Sequence, residues 1–226
     1  MKAIAIITAR GGSKRIPKKN IKNFLGKPII AYSIEAAIGS EMFDEVMVST
    51  DSEEIANIAK QYGAVVPFFR SEKTSNDFAT TADVIEEVLD TYKAAGKEFD
   101  AFMCIYPTAP FLSKETIKKA FELFNGSSVV PVVKYDFPPQ RAFVIRNGFV
   151  EYQYPNLYKC RSQDLEPIYH DCGQFYLCDV KKFYQNHTVV LPNAVPLVLG
   201  DMDVQDIDTL EDWEMAEVKY KINKGK

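Results

Sequence analysis

The chain has 226 residues, 46% of them hydrophobic and 26% charged, and carries a net charge of −4 at neutral pH. That balance fits one globular domain over residues 1–226 and argues against nucleic acid as a partner. No run approaches the roughly 18 apolar residues that would suggest a membrane span, residues 1–7 lack a signal-peptide pattern, and the four cysteines form no CxxC pair. A cytoplasmic protein with free thiols and no membrane partner is the expectation.

The modest net charge hides two poles. Residues 1–28 hold Lys2, Arg10, Lys14, Arg15, Lys18, Lys19, Lys22 and Lys27 and no acid, whereas residues 200–218 hold eight acids and no Lys or Arg. Two solvated faces are one account of such runs. The other is a phosphate site at the first pole and a divalent cation at the second.

In chain order, the apolar run Ala3–Thr8 predicts a strand buried on both faces of a parallel sheet. A Gly- and Lys-rich loop follows, then a helix from Pro28 with Ile30, Ile34, Ala37 and Ile38 on one stripe. Glu45–Thr50 predicts a strand. Asp51 or Ser52 caps a helix over Glu53–Tyr62, and Gly63 ends it. Ala64–Phe68 predicts a third strand and Thr81–Tyr92 a helix burying Val84, Ile85, Val88 and Leu89. Ala101–Ile105 and Ser128–Val133 read as strands around a helix capped by Ser113. Residues 136–170 break this rhythm, with Asn147-Gly148 between alternating flanks as a hairpin signal. Strands resume at Gly173–Leu177 and Val195–Leu199. A last helix begins near Thr209, with Leu210, Trp213, Ala216 and Tyr220 on one side. Strands alternating with helices mean an α/β fold with a mostly parallel sheet.

The loop after the first strand reads Thr8-Ala9-Arg10-Gly11-Gly12-Ser13-Lys14-Arg15-Ile16-Pro17-Lys18-Lys19-Asn20. Its glycines let backbone N–H groups approach an anion that the cations neutralise. It is neither a Walker A loop nor a Gly-x-Gly-x-x-Gly fingerprint, so a dinucleotide is not indicated. At the other pole, Asp206 and Asp208 flank one residue, and extended alternation would point both carboxylates toward one hard cation. Capping competes with this account, because Asp208 before Thr209 is a good N-cap.

Residues 9–20 closely resemble the signature of the sugar-acid cytidylyltransferases that activate nonulosonic acids. Ser49-Thr50-Asp51 is similar to that family's Ser-Thr-Asp, and Phe69-Arg70 with Ser75–Thr81 to its nucleotide-side loop. Tyr106-Pro107-Thr108-Ala109-Pro110 resembles its Gln-Pro-Thr-Ser-Pro, with Tyr for Gln. Asp206-Ile207-Asp208 resembles its metal-binding Asp-x-Asp.

The resemblance implies a Rossmann-like nucleotidyltransferase that joins CTP to a nonulosonic acid and releases pyrophosphate, with Mg²⁺ or Mn²⁺ as cofactor. It implies nucleotide contacts from Arg10, Gly12, Ser13, Lys14, Lys19, Asn20, Arg70, Asp77, Thr81, Pro107 and Thr108. Lys19, Arg10, Asp206 and Asp208 would be catalytic, the two aspartates as metal ligands. Residues 136–170 resemble the family's inserted dimerisation arm, which caps the partner's substrate, so a homodimer is implied.

Arg15 stands where neuraminate-activating members usually have Gly. Residues 169–176, Tyr-His-Asp-Cys-Gly-Gln-Phe-Tyr, and Arg161-Ser162-Gln163-Asp164 resemble the pseudaminate-activating members. Tyr106, Arg161, Gln163, Asp171, Gln174 and Tyr176 are thereby implied as sugar contacts. Neuraminate- or legionaminate-activating relatives remain alternatives, as does a noncatalytic sugar-nucleotide-binding or glycosyltransferase-like protein.

Overall fold

Alternate residues of β1 (Ala3–Thr8) face opposite layers, as an extended chain requires. Ala3, Ala5 and Ile7 join one buried apolar cluster, and Ile4 and Ile6 join another. In the computed structural model, which describes residues 1–224, a small hairpin follows, of β2 (Asn23–Phe24) and β3 (Lys27–Pro28). Next come α1 (Ile29–Ser40), β4 (Glu45–Ser49), α2 (Glu53–Gln61), α3 (Glu72–Ser75), α4 (Thr81–Ala94) and β5 (Ala101–Ile105). α5 (Lys114–Leu123) and β6 (Ser128–Lys134) lead into the hairpin of β7 (Phe143–Arg146) and β8 (Phe149–Tyr152). The chain ends with β9 (Tyr169–Asp171), β10 (Phe175–Asp179), α6 (Val180–Asn186), β11 (Val195–Leu199) and α7 (Leu210–Lys224).

The central sheet runs β11-β6-β10-β5-β1-β4, with β9 also paired to β6. β4, β1 and β5 are parallel, as are β6 and β11, while β10 lies antiparallel between β5 and β6. α1, α2 and α5 cover one face and α4 and α6 the other. From β1 the chain moves outward to β4, then returns past β1 to form β5. The loops leaving β1 and β5 thus meet at the carboxyl end of the sheet, where open α/β sheets bind ligands.

Several expectations change in the structure. Ala64–Phe68 does not form a strand; a single parallel bridge joins Val65 to Met47. Ile38 and Leu210 are exposed, because each lies at the edge of its helix's apolar stripe. α7 starts from a reciprocal cap in which Thr209 Oγ1 accepts from the Asp212 N–H at 3.2 Å and the Thr209 N–H donates to Asp212 at 2.8 Å. Thr209, not Asp208, therefore supplies the capping side chain.

Asn147 and Gly148 take φ of 53° and 83°, the paired left-handed values of a tight hairpin turn. That hairpin leaves Phe143, Ile145, Phe149 and Val150 exposed. All four cysteines are unpaired. Cys104, Cys172 and Cys178 are buried, and burial pushes the first two thiols up to about 12 and the third well above its ordinary value. Cys160 is half-buried on the excursion.

Candidate active site

An apolar plug aligns the two charged poles. Ile16 of the basic loop and Ile207 of the acidic segment are both fully buried, in one cluster with Phe24, Ile29, Tyr32 and Trp213. Burying Ile207 directs its neighbours Asp206 and Asp208 the other way. Lys19 then ties the segments together, its Nζ donating to Ile207 O at 2.7 Å and lying 3.4 Å from Asp208 Oδ1.

Local bonds fix the basic loop. Asn20 Nδ2 donates to Arg10 O at 2.9 Å, the Gly11 N–H to Asp51 Oδ1 at 2.7 Å, and Ser13 Oγ to Ile16 O at 2.6 Å. A Cβ on Gly11 would come within 3.2 Å of Ser52 Cβ, so this turn sits tightly against the start of α2. Lys18 adopts φ 52° and turns its ammonium to Glu54, away from its neighbour Lys19.

Two adjoining cavities open here. The larger, about 460 Å³, is lined by Arg10, Ser13, Lys14, Arg15, Lys19, Asn20, Arg70, Asp77, Thr81, Tyr106, Pro107 and Thr108 among others. The smaller, about 380 Å³, is lined by Lys19, Tyr106, Thr108, Asp171, Gly173, Tyr176, Asp206 and Asp208. Lys19, Tyr106 and Thr108 belong to both, so they mark the junction.

Opposing charges are paired across the larger cavity. Arg10 donates to Asp77 at 2.7 Å and to Asn76 O at 3.2 Å, and Lys14 also donates to Asp77. These bonds, Lys14's first, hold the Asp77 carboxyl below its usual range. Arg70 is buried and bonded to Ser49, with Nη2 donating to the carbonyl at 2.8 Å. Its burial lowers the guanidinium's pKa, opposed by the Asp51 charge. Tyr106 Oη lies 3.3 Å from Thr81 Oγ1.

The wall of the smaller cavity comes from a break in pairing. β9 and β10 both run antiparallel to β6, facing Val132–Lys134 and Ser128–Val129 respectively, and the interruption falls opposite Val130 and Pro131. Pro131 has no N–H to continue the ladder, and Gly173, at φ 64°, turns the chain through the gap. Its N–H donates to Asp171 Oδ1 at 2.7 Å, while the Tyr176 hydroxyl donates to the other carboxylate oxygen.

Asp206 reaches solvent, yet partial desolvation, followed by the Asp208 charge, raises its carboxyl above the usual range. Asp208 is balanced by Arg15, 2.9 Å away, as well as by Lys19. Among the described residues no group of three or more His, Cys, Asp or Glu gathers to hold a metal. The aspartate pair still suits a hard cation of the Mg²⁺ type, which is commonly held by one or two carboxylates with water and substrate phosphate completing the shell.

Some expected contacts are not brought together. Gly12 lines neither cavity. Arg161 and Gln163 also line neither; Arg161 pairs with Asp164 at 2.8 Å, and Gln163 borders a separate groove on the excursion. Gln174 is 3% exposed and its Nε2 donates to Asp203 O at 2.7 Å, so the turn between β9 and β10 buries it instead of presenting it to either cavity. Arg15 was missing from the expected contacts. Its place among the basic residues and its replacement of the Gly usual in neuraminate-activating members are the signals that single it out, but its pairing with Asp208 depends on the fold.

The family model described as "Cytidylyltransferase" matches residues 4–190. A pseudaminic acid cytidylyltransferase of Campylobacter jejuni is 41% identical over 99% of this chain and 98% of its own length. A CMP-N,N'-diacetyllegionaminic acid synthase of Legionella pneumophila is 38% identical over the same shares. Among solved structures, CMP:2-keto-3-deoxy-manno-octonic acid synthetase complexed with CTP superposes with a TM-score of 0.72 at 16% identity, covering 99% of this chain and 100% of that one. That last likeness concerns the fold. The family match and the near full-length identity together establish that this chain belongs to the cytidylyltransferase family.

Proposed function

We propose that the protein transfers cytidylyl from CTP to a pseudaminate-type nonulosonic acid, releasing pyrophosphate. The observation that carries this is the junction of a basic cavity and an acidic one at Lys19. The triphosphate would occupy the larger cavity, where Arg10, Lys14 and Arg15 exchange carboxylate partners for phosphate oxygens. The sugar would enter the smaller cavity, beside Asp171, Tyr176 and Gly173. Attack of a sugar hydroxyl on the α-phosphorus then falls beside Lys19, whose ammonium stabilises the developing negative charge.

Asp206 and Asp208 are proposed to hold Mg²⁺ or Mn²⁺, which supplies neutralisation of triphosphate charge and acidification of a bound hydroxyl. Neither histidine lines the cavities. His170 bonds to Asp171 O, and His187 lies near Glu86. A histidine base within the chain therefore has no support from this geometry.

The identity to the Campylobacter relative favours pseudaminic acid as acceptor, and the 38% identity to the Legionella enzyme keeps the legionaminate reading as the second. Pyrophosphate release, measured for pseudaminic, legionaminic and N-acetylneuraminic acids with CTP, tests both. The expected result is fastest release with pseudaminic acid. Faster release with either of the others would replace the acceptor, and no release with any would remove the enzymatic reading.

The proposed assembly is a homodimer built on the excursion. Phe137, Ile145 and Phe149 are 89%, 77% and 73% exposed, and among the described residues β7 and β8 pair only with each other. An isolated two-stranded hairpin is marginally stable in water, so a covering surface is needed. A second copy would also bring Arg161 and Gln163 toward the smaller cavity of the first. Light scattering at micromolar concentration should give twice 25.6 kDa, and Ile145→Asp with Phe149→Asp should give monomers. A wild-type monomer would eliminate this assembly.

A further inference from the structure

Arg15 belongs to both poles. Its guanidinium lies 2.9 Å from Asp208 Oδ1, yet it lines the larger cavity with Arg10 and Lys14. Both side chains of the pair are open to solvent, 66% and 42% exposed, and ion pairs of this kind are weakly held. A phosphate offers the guanidinium fork paired oxygens and stronger, charge-assisted bonds. Competition between the two anions therefore favours phosphate.

Lys19 differs, although it also lies near Asp208. Its side chain is only 20% exposed and is anchored to Ile207 O at 2.7 Å. Of the two cations on Asp208, the guanidinium is the one free to leave.

We propose that Arg15 is a positioning residue that neutralises Asp208 in the free enzyme and passes to the triphosphate when nucleotide binds. The transfer vacates Asp208 for the divalent cation, so nucleotide and cation sites become linked through one side chain. This rests on the placement of triphosphate and cation described under Proposed function. It explains why a guanidinium stands against an acid of the proposed cation pair without blocking it permanently.

A double-mutant cycle on CTP binding in EDTA isolates the transfer from any metal. Asp208→Asn should tighten CTP about three- to fivefold in the wild-type background, because the pair no longer has to break. In Arg15→Ala the same change should gain markedly less. An equal or larger gain there would show that Arg15 stays on Asp208 and would overturn the proposal.

Titration with Mn²⁺ alone, followed by electron paramagnetic resonance, provides a second readout. Arg15→Ala should bind Mn²⁺ several-fold more tightly than wild type, and Arg15→Lys should restore weaker binding. Measurable but unchanged Mn²⁺ affinity also overturns the proposal. If no variant binds Mn²⁺ while the EDTA cycle shows the expected coupling, the transfer stands and the cation assignment at the acidic pair is what fails.

Discussion

Lys19→Ala is expected to slow the chemical step by about two to three orders of magnitude, the usual cost of removing a donor aimed at developing negative charge. Lys18→Ala, one residue away, should change it by no more than about twofold. The difference arises in the backbone. Lys18 occupies the left-handed region and directs its ammonium to both carboxylate oxygens of Glu54 at 2.8 Å. Lys19 opens the next turn and reaches the junction of the cavities.

Single-turnover rates at saturating CTP and acceptor provide the check, since a loss in rate at saturation marks an interaction made in the transition state. Equal losses for the two variants would mean that the ammonium at the junction is not the stabilising one. Because Lys19 also anchors Ile207, its melting temperature must accompany the rate. Lys19→Arg, which keeps the charge, separates a lost anchor from a lost charge.

The second large effect is expected at the acidic pair. Asp206→Asn should cut turnover at limiting Mg²⁺ by at least about a hundredfold, while the melting temperature in metal-free buffer does not fall. The two halves have one cause. In the protein alone, the Asp206 carboxylate is penalised by partial desolvation and by the Asp208 charge, so an uncharged amide relieves strain within the fold. The same crowding of negative charge would favour the proposed cation. Sites arranged for function often oppose stability in this way. Near-normal turnover of Asp206→Asn at limiting Mg²⁺ would discard the cation assignment.

Patterns decided within a few residues were legible in the sequence. The doubly buried run Ala3–Ile7, the stripe of Val84, Ile85, Val88 and Leu89, and the Asn147-Gly148 turn each appear where local chemistry put them. What escaped depends on pairing across the chain. Residues 64–68 have strand-like composition, but only Val65 finds a bridge to Met47. The antiparallel placement of β10 between β5 and β6 is a choice among edges that its own residues do not announce.

The site shows the same division. The basic loop could be read as a phosphate binder from its own residues, and most of its members do line the larger cavity. Gln174 could not be separated from Tyr176 by alternation alone, since both precede or occupy the same strand on one parity. Only the break opposite Pro131 and the carbonyl of Asp203 draw Gln174 inward. Arg15 and Asp208, nearly the full chain apart in sequence, meet because Ile16 and Ile207 share one apolar cluster.

The cysteine distribution has a practical consequence. Three thiols are sequestered and held protonated by burial, leaving Cys160 as the accessible one. Thiol reactivity follows exposure and thiolate character, so a maleimide dye added to the native enzyme should label the excursion and spare the three buried thiols. Such a dye would sit on the segment proposed to cross between subunits. Its emission anisotropy on dilution would then follow association in real time, without any engineered cysteine.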